Sequence, residues 1–198
     1  MDRCAALCFC RGMRTDARLP YLVTALMVLV SAALLLAMGR APICPCGYVD
    51  FWGPVGSDEA NMQLTDWYTP SHLLHGILFY WALWLIVPRM GIGWRLVIAT
   101  ALECGWELLE NTDAVIRHYR ETTVSSDYIG DSVLNSVSDI VAMFLGFWMA
   151  RRWPVWVCVA TVIGFEVLTA IVIRDGLALN VLMLLWPIDA ILEWQSAG

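Results

Sequence analysis

Six apolar stretches run along this chain, at positions 20–38, 71–88, 92–109, 131–150, 154–173 and 177–193. Each is close to the roughly 20 residues that a helix rising 1.5 Å per residue needs to cross a hydrocarbon layer. In lipid an α-helix satisfies its own backbone, and an open sheet does not. The pattern therefore predicts an all-α, polytopic membrane helix bundle of about six transmembrane helices. Composition agrees: 60% of the 198 residues are apolar, only 15% are charged, and mean hydropathy is +0.66. The first and fifth stretches are uninterrupted, whereas the third, fourth and sixth carry charge. Thr69-Pro70-Ser71 suits a helix start, Pro88-Arg89 a stop, and Trp153-Pro154 a new start after Arg151-Arg152.

Arginine placement sets the expected orientation. An N-in topology puts Arg3, Arg11, Arg14, Arg18, Arg89, Arg95, Arg151 and Arg152 on the cytoplasmic side, leaving Arg40, Arg117, Arg120 and Arg174 outside. The bundle is then N-in and C-in, in a bacterial inner membrane. Residues 1–19 form a basic cytoplasmic tail, the stretch after it reads as an uncleaved signal anchor, and 20–198 form a single transmembrane helical domain. The loops 39–69 and 111–130 face outward, and Trp52, Trp67, Tyr68, Trp153, Trp156, Trp186 and Trp194 fall near span ends, where aromatic belts form.

Several classes are excluded. The net charge is -6 and the twelve cations, all arginine, are scattered, so nucleic acid is not an expected partner. No phosphate-binding loop, dinucleotide fingerprint, nucleophile elbow or haem-attachment motif occurs. The seven cysteines form no disulfide framework. Cys44-Pro45-Cys46-Gly47 is open to two readings, a thiolate metal pair or a redox pair.

The polar residues inside the apolar stretches carry the functional signal. At 100° per residue, Glu103, Glu107 and Glu110 share one helix face within about 60°. Asp131, Asn135 and Asp139 align in the same way over about 12 Å of helix. A charge at the bilayer centre costs roughly 2.5–3.5 kcal/mol, so protonation, a cationic side chain or a bound metal must offset it. His72 and His75 stand at the same expected depth, at the outer end of the second stretch. Two histidines with carboxylates suit zinc or another divalent transition metal, and a divalent metal is the one candidate cofactor. Arg117-His118-Tyr119-Arg120 lies between the stripes, where guanidinium forks neutralise acids or grip phosphate. The bland alternatives are mutually paired acids in a wet vestibule, interfacial histidines and a solvated arginine loop. Glu166, Asp189 and Glu193 are further acids.

Asp66-Trp67-Tyr68-Thr69-Pro70-Ser71-His72-Leu73-Leu74-His75-Gly76, Glu107-x-x-Glu110-Asn111 and Gly130-Asp131-Ser132-x-x-Asn135-Ser136 resemble an uncharacterised proteobacterial inner-membrane family, a domain-of-unknown-function family, over about residues 20–195. More distantly, His75, Glu107, Arg120, Asp131 and Asn135 resemble the order of polar residues in VanZ-like membrane proteins, with departures at Glu110 and Ser138. Neither resemblance implies an established reaction.

The leading expectation is an outer-face acidic, histidine and arginine pocket that binds a metal or an anionic lipid-type substrate. His72, His75, Glu103, Glu107 and Asp131 are the metal candidates. Glu107, Asp131 and Asp139 are the acid–base candidates, and Arg117, Arg120, Asn111 and Asn135 the substrate-binding ones. Membrane lipid is the expected partner. The alternatives are a non-catalytic accessory or assembly subunit, whose partners are other membrane subunits, and a proton or cation transporter.

Overall fold

Gly76 and Gly146 face each other's helices so closely that the backbones nearly touch. A Cβ on Gly76 would overlap the Met143 carbonyl oxygen, and one on Gly146 would overlap the Leu73 carbonyl oxygen. Only small residues permit such an approach, which is how helices pack where lipid removes the hydrophobic drive between them. In the computed structural model, which describes residues 18–123 and 128–196, these glycines lie on α2 (Thr69–Ile86) and α5 (Val133–Arg152). That pair makes the most extensive interhelical contact in the fold.

The remaining helices are α1 (Leu19–Ala37), α3 (Ile92–Glu110), α4 (Asp113–Thr122), α6 (Val155–Val172), α7 (Leu177–Leu185) and α8 (Asp189–Ser196). α1 packs against α3, with Pro20 against Gly93 near their starts, so the two run in the same direction. A core of Leu83, Leu96, Ala99, Ile140, Met143 and Phe147 joins α2, α3 and α5. Among the described residues there is no strand, only an isolated bridge between Trp52 and Thr65.

Three helices, α1, α5 and α6, are long and apolar enough to cross a membrane. α2 and α3 match them in length, at 18 and 19 residues, but are diluted in hydropathy by the histidines and glutamates they carry. On α6 only Cys158 and Thr169 are buried, while Val155, Trp156, Ile163 and Ile171 are more than half exposed. An apolar surface of that kind is a lipid-facing or partner-facing surface rather than one built for water. At the opposite end of the fold from the polar residues described below, Arg151 and Arg152 lie over the Trp148 ring.

Two expectations are corrected. The stretch 177–193 is not one span: it breaks between α7 and α8 at Trp186-Pro187. Proline has no N–H and drives the residue before it out of helical geometry, and Trp186 has φ -149° and ψ 82°. The nine residues of α7 give about 13 Å, less than half a bilayer core. The segment 111–130, read as a loop, holds α4, whose start is capped by Thr112 Oγ1 accepting from the Val115 N–H at 3.4 Å. Cys44 and Cys46 are paired as a disulfide. Most of the basic tail, residues 1–17, lies outside the described residues.

Because the α2–α5 crossing has no room for a methyl group, Gly76→Ala is expected to destabilise the protein by about 1–3 kcal/mol or more through forced separation of the helices. Gly105→Ala, at an exposed position of α3 with open space around it, is the control and should be neutral or slightly stabilising. Thermal unfolding in detergent measures both. Equal midpoints for the two variants would show that the crossing is not tight.

Candidate functional site

The parallel run of α2 and α5, with α3 antiparallel to both, brings the start of α2, the end of α3 and the start of α5 to one end of the fold. Glu103 and Glu107 on α3 are fully buried there, and His72, His75, Asp131 and Asp139 are each less than a tenth exposed. Residues from three separate apolar stretches thus come together at one end of the fold.

Glu103 is the organising group. Its Oε1 is 2.7 Å from His72 Nδ1 and its Oε2 is 3.0 Å from His75 Nδ1, so one carboxylate holds both imidazoles. A histidine whose Nδ1–H is fixed on a carboxylate presents its Nε2 lone pair, the arrangement that orients histidine ligands towards metals. His72 Nε2 lies 3.9 Å from Asp139 Oδ2. That is too long for a hydrogen bond, but two ligands each about 2.0–2.2 Å from one ion lie about 3–4 Å apart. His75 stacks on Phe79 and meets the Trp106 ring edge-on, which fixes its plane.

Glu107 lacks such partners. His72 Nδ1 is 3.3 Å from Glu107 Oε1, yet the single hydrogen of that nitrogen is taken by the shorter contact to Glu103, and neither oxygen of Glu107 has a hydrogen-bond partner among the described residues. Asp139 Oδ1 is also without one. A buried carboxylate with nothing to offset its desolvation costs several kcal/mol. Among the described residues, three groups of side chains bring ligand atoms within 4.8 Å of one another: His72, His75 and Glu103; His72, Glu107 and Asp139; and Glu107, Glu110 and Asp131.

Around this cluster opens a cleft. Its lining includes both histidines, Asp131 and Asp139, together with residues not among the sequence-derived site candidates: Asn61, Tyr68, Trp106, Tyr119, Tyr128 and Asn180. Tyr119 donates to Asn180 Oδ1 at 2.7 Å, tying α4 to α7. Glu166 accepts from the Leu177 and Ala178 N–H groups at 3.0 and 3.1 Å, capping α7 with a carboxylate at the positive end of the helix. None of these pairings has a sequence signature, because each joins residues far apart in the chain.

The two asparagines serve as struts. Asn111 and Asp131 exchange hydrogen bonds, side chain to carboxylate and backbone N–H to amide oxygen, each at 2.8 Å, and Tyr128 donates to the same carboxylate. Asn135 Nδ2 donates to Gln63 O and to Asp66 Oδ2, both at 3.0 Å, while Ser132 binds the backbone oxygens of Asn61 and Met62. These bonds hold the 39–68 segment over the site. Arg117 and Arg120 are exposed on α4 and are not among the cleft's lining residues; Arg120 donates to the Tyr128 carbonyl oxygen. The positive charge expected at the wall is not supplied by them, because α4 turns that face outward.

Asp175, 5% exposed between α6 and α7, receives hydrogen bonds from the Gly176 N–H and the Tyr68 hydroxyl. Burial outweighs these bonds and pushes its carboxyl up to about 6. In the unfolded chain the value returns to about 3.9. The native state therefore binds this proton more tightly, so its contribution is full below about pH 4 and is lost as pH rises through about 6. Asp175→Asn should remove about 2–3 kcal/mol of stability change across that window. Denaturant unfolding at pH 4 and pH 7 measures it, and an unchanged difference would contradict the assignment.

Comparison with known proteins adds the family. Residues 35–197 match the family model described as "Protein of unknown function (DUF2585)". A UPF0314 protein of Paracoccus denitrificans is 58% identical over 188 residues, covering 94% of this chain and 97% of its own. A UPF0314 protein of Sphingopyxis alaskensis is 48% identical over 182 residues, covering 91% and 97%. One from Novosphingobium aromaticivorans is 50% identical over 171 residues, covering 83% and 86%. The VanZ likeness finds no support in these matches, and no solved structure matches the chain. With the match spanning most of its length and these relatives 48–58% identical, this chain belongs to the proteobacterial family DUF2585, the UPF0314 proteins.

Proposed function

We propose that this chain is a multi-pass inner-membrane protein whose outer-side cleft binds a divalent transition metal and presents it to the head group of an anionic amphiphile. The observation that carries the reading is Glu107: it is fully buried, neither oxygen takes a hydrogen bond, and His72 and Asp139 offer ligand atoms within 4.8 Å. A cation answers all three facts at once. In this reading α1, α2, α3, α5 and α6 are spans, and α7 with α8 forms a broken sixth segment.

His72 Nε2, Glu107 and Asp139 are the ligands. Glu103 acts through the imidazoles it holds, and His75 stands at the cleft wall beside the ion. A mixed nitrogen and oxygen donor set favours zinc, iron or manganese over magnesium or calcium. The metal, rather than Arg117 or Arg120, supplies the positive charge that an anionic head group needs in an otherwise acidic cleft. Asp131 and Asp139 are placed beside that head group for proton transfer, and Asn111 and Asn135 keep the wall in position.

Transport is the weaker reading for a specific reason. Below the cluster the inward faces of α2 and α5 are Ile77, Ile140, Met143 and Phe147, all at most 2% exposed. A dry apolar plug of that kind interrupts a polar path to the other side.

Elemental analysis of the protein purified in detergent, after chelation and reloading with zinc or manganese, tests the reading. The wild-type chain should retain metal, and Glu107→Gln and Asp139→Asn should lose it. Glu103→Gln should still bind, about 10–100-fold more weakly, as expected for a group that only orients ligands. A wild-type protein that retains no metal after reloading overturns the proposal.

A further inference from the structure

The ligand groups overlap in a way that one ion does not explain. Glu107 belongs to two of them, one with His72 and Asp139 and one with Glu110 and Asp131. It lies between the two sets, both of its oxygens are buried, and neither is engaged by a hydrogen bond. A carboxylate in that position has one oxygen to give to each side.

Charge points the same way. Glu103 is occupied by the two imidazoles, which leaves Glu107, Glu110, Asp131 and Asp139. One divalent ion balances half of four carboxylates, and two balance all of them. Among the described residues no arginine lines the cleft to make up the difference.

We infer that the cleft is built for two cations, with Glu107 as the bridging ligand between an inner position formed by His72 and Asp139 and an outer position formed by Glu110 and Asp131. This rests on the metal-binding reading above and deepens it. The two positions differ in chemistry: the inner one has a nitrogen donor and suits a transition metal, and the outer one is all oxygen and suits a harder ion such as manganese or magnesium. Asp131 is prepared for the outer ion, since Asn111 and Tyr128 fix its plane without using all of its acceptor sites. Carboxylate-bridged pairs of ions lie about 3.5–4 Å apart and clamp two oxygens of one oxyanion. The ligand class for the cleft is therefore a phosphate or pyrophosphate group, whose oxygens span such a pair. Glu110, Asp131 and Tyr128 line the cleft together with His72 and Asp139, so an oxyanion in it would meet residues of both positions.

Manganese is the probe, because it suits both positions and reports on its neighbours. The full chain in detergent is stripped with chelator, loaded with Mn(II) alone, and read by elemental analysis and electron paramagnetic resonance. The wild type should bind two manganese ions per chain and give an exchange-coupled spectrum in place of the hyperfine sextet of an isolated ion. Asp131→Asn and Glu110→Gln should each bind one ion and restore the sextet, with His72→Ala as the complementary variant that empties the inner position. One ion per wild-type chain at saturation overturns the two-cation centre and leaves the single-metal reading standing. Two ions without coupling overturn the bridging role of Glu107. No bound metal at all overturns both readings together. Inorganic pyrophosphate should tighten Mn(II) retention in the wild type at least tenfold and have no such effect in Asp131→Asn; equal retention in the two would remove the oxyanion assignment.

Discussion

The Glu103 carboxylate held between two imidazoles is the contact on which the rest of the polar end depends. An ionised carboxylate taken out of water must be met by donors in good geometry, or it protonates or unfolds its surroundings. Glu103 meets that condition with His72 at 2.7 Å and His75 at 3.0 Å. The pairing fixes the rotation of α2 against α3. Once that rotation is set, Glu107, one turn further along α3, can only face the same interior, towards Asp139 on α5. The glycine crossing of α2 and α5 closes the triangle by allowing those helices near-backbone contact. Packing and electrostatics are thus a single arrangement here: a bulkier residue at Gly76 would disturb the distance between His72 and Asp139 as well as the core.

Much of this was legible in the sequence, because helical periodicity maps side chains onto faces. The spacing of Glu103, Glu107 and Glu110, and of Asp131, Asn135 and Asp139, gave two polar faces, and the alternating direction of the spans placed them at one end. The helix starts at Thr69 and Val155 follow from proline placement within a residue or two. What spacing does not reveal is which polar groups are used up by each other. Asn111 and Asn135 read as substrate contacts, whereas their side chains are hydrogen-bonded to long-range partners, Asp131 in one case and Gln63 with Asp66 in the other.

Elements away from the spans were less legible for a different reason. α4 is short and mostly polar, so its identity rests on the Thr112 cap and on Ile116 and Tyr119 facing inward, a weak signal beside the neighbouring apolar runs. The break at Trp186-Pro187 falls inside a stretch whose hydropathy suggests continuity. Hydropathy records what a segment prefers to touch, whereas proline decides whether its backbone continues, and the second rule prevailed. Glu166 was a stray acid in the sequence. It becomes a cap only because α7 begins beside it.

The way the 39–68 segment is fastened has a consequence for how this family can vary. Apart from the Asn135 bond to the Asp66 carboxylate, Ser132 and Asn135 grip the main-chain oxygens of Asn61, Met62 and Gln63 rather than their side chains. A clasp that recognises peptide groups is indifferent to the identity of the residues it holds. The roof over the cleft can therefore exchange its outward residues, and with them the surface it presents, while the chamber beneath keeps its shape.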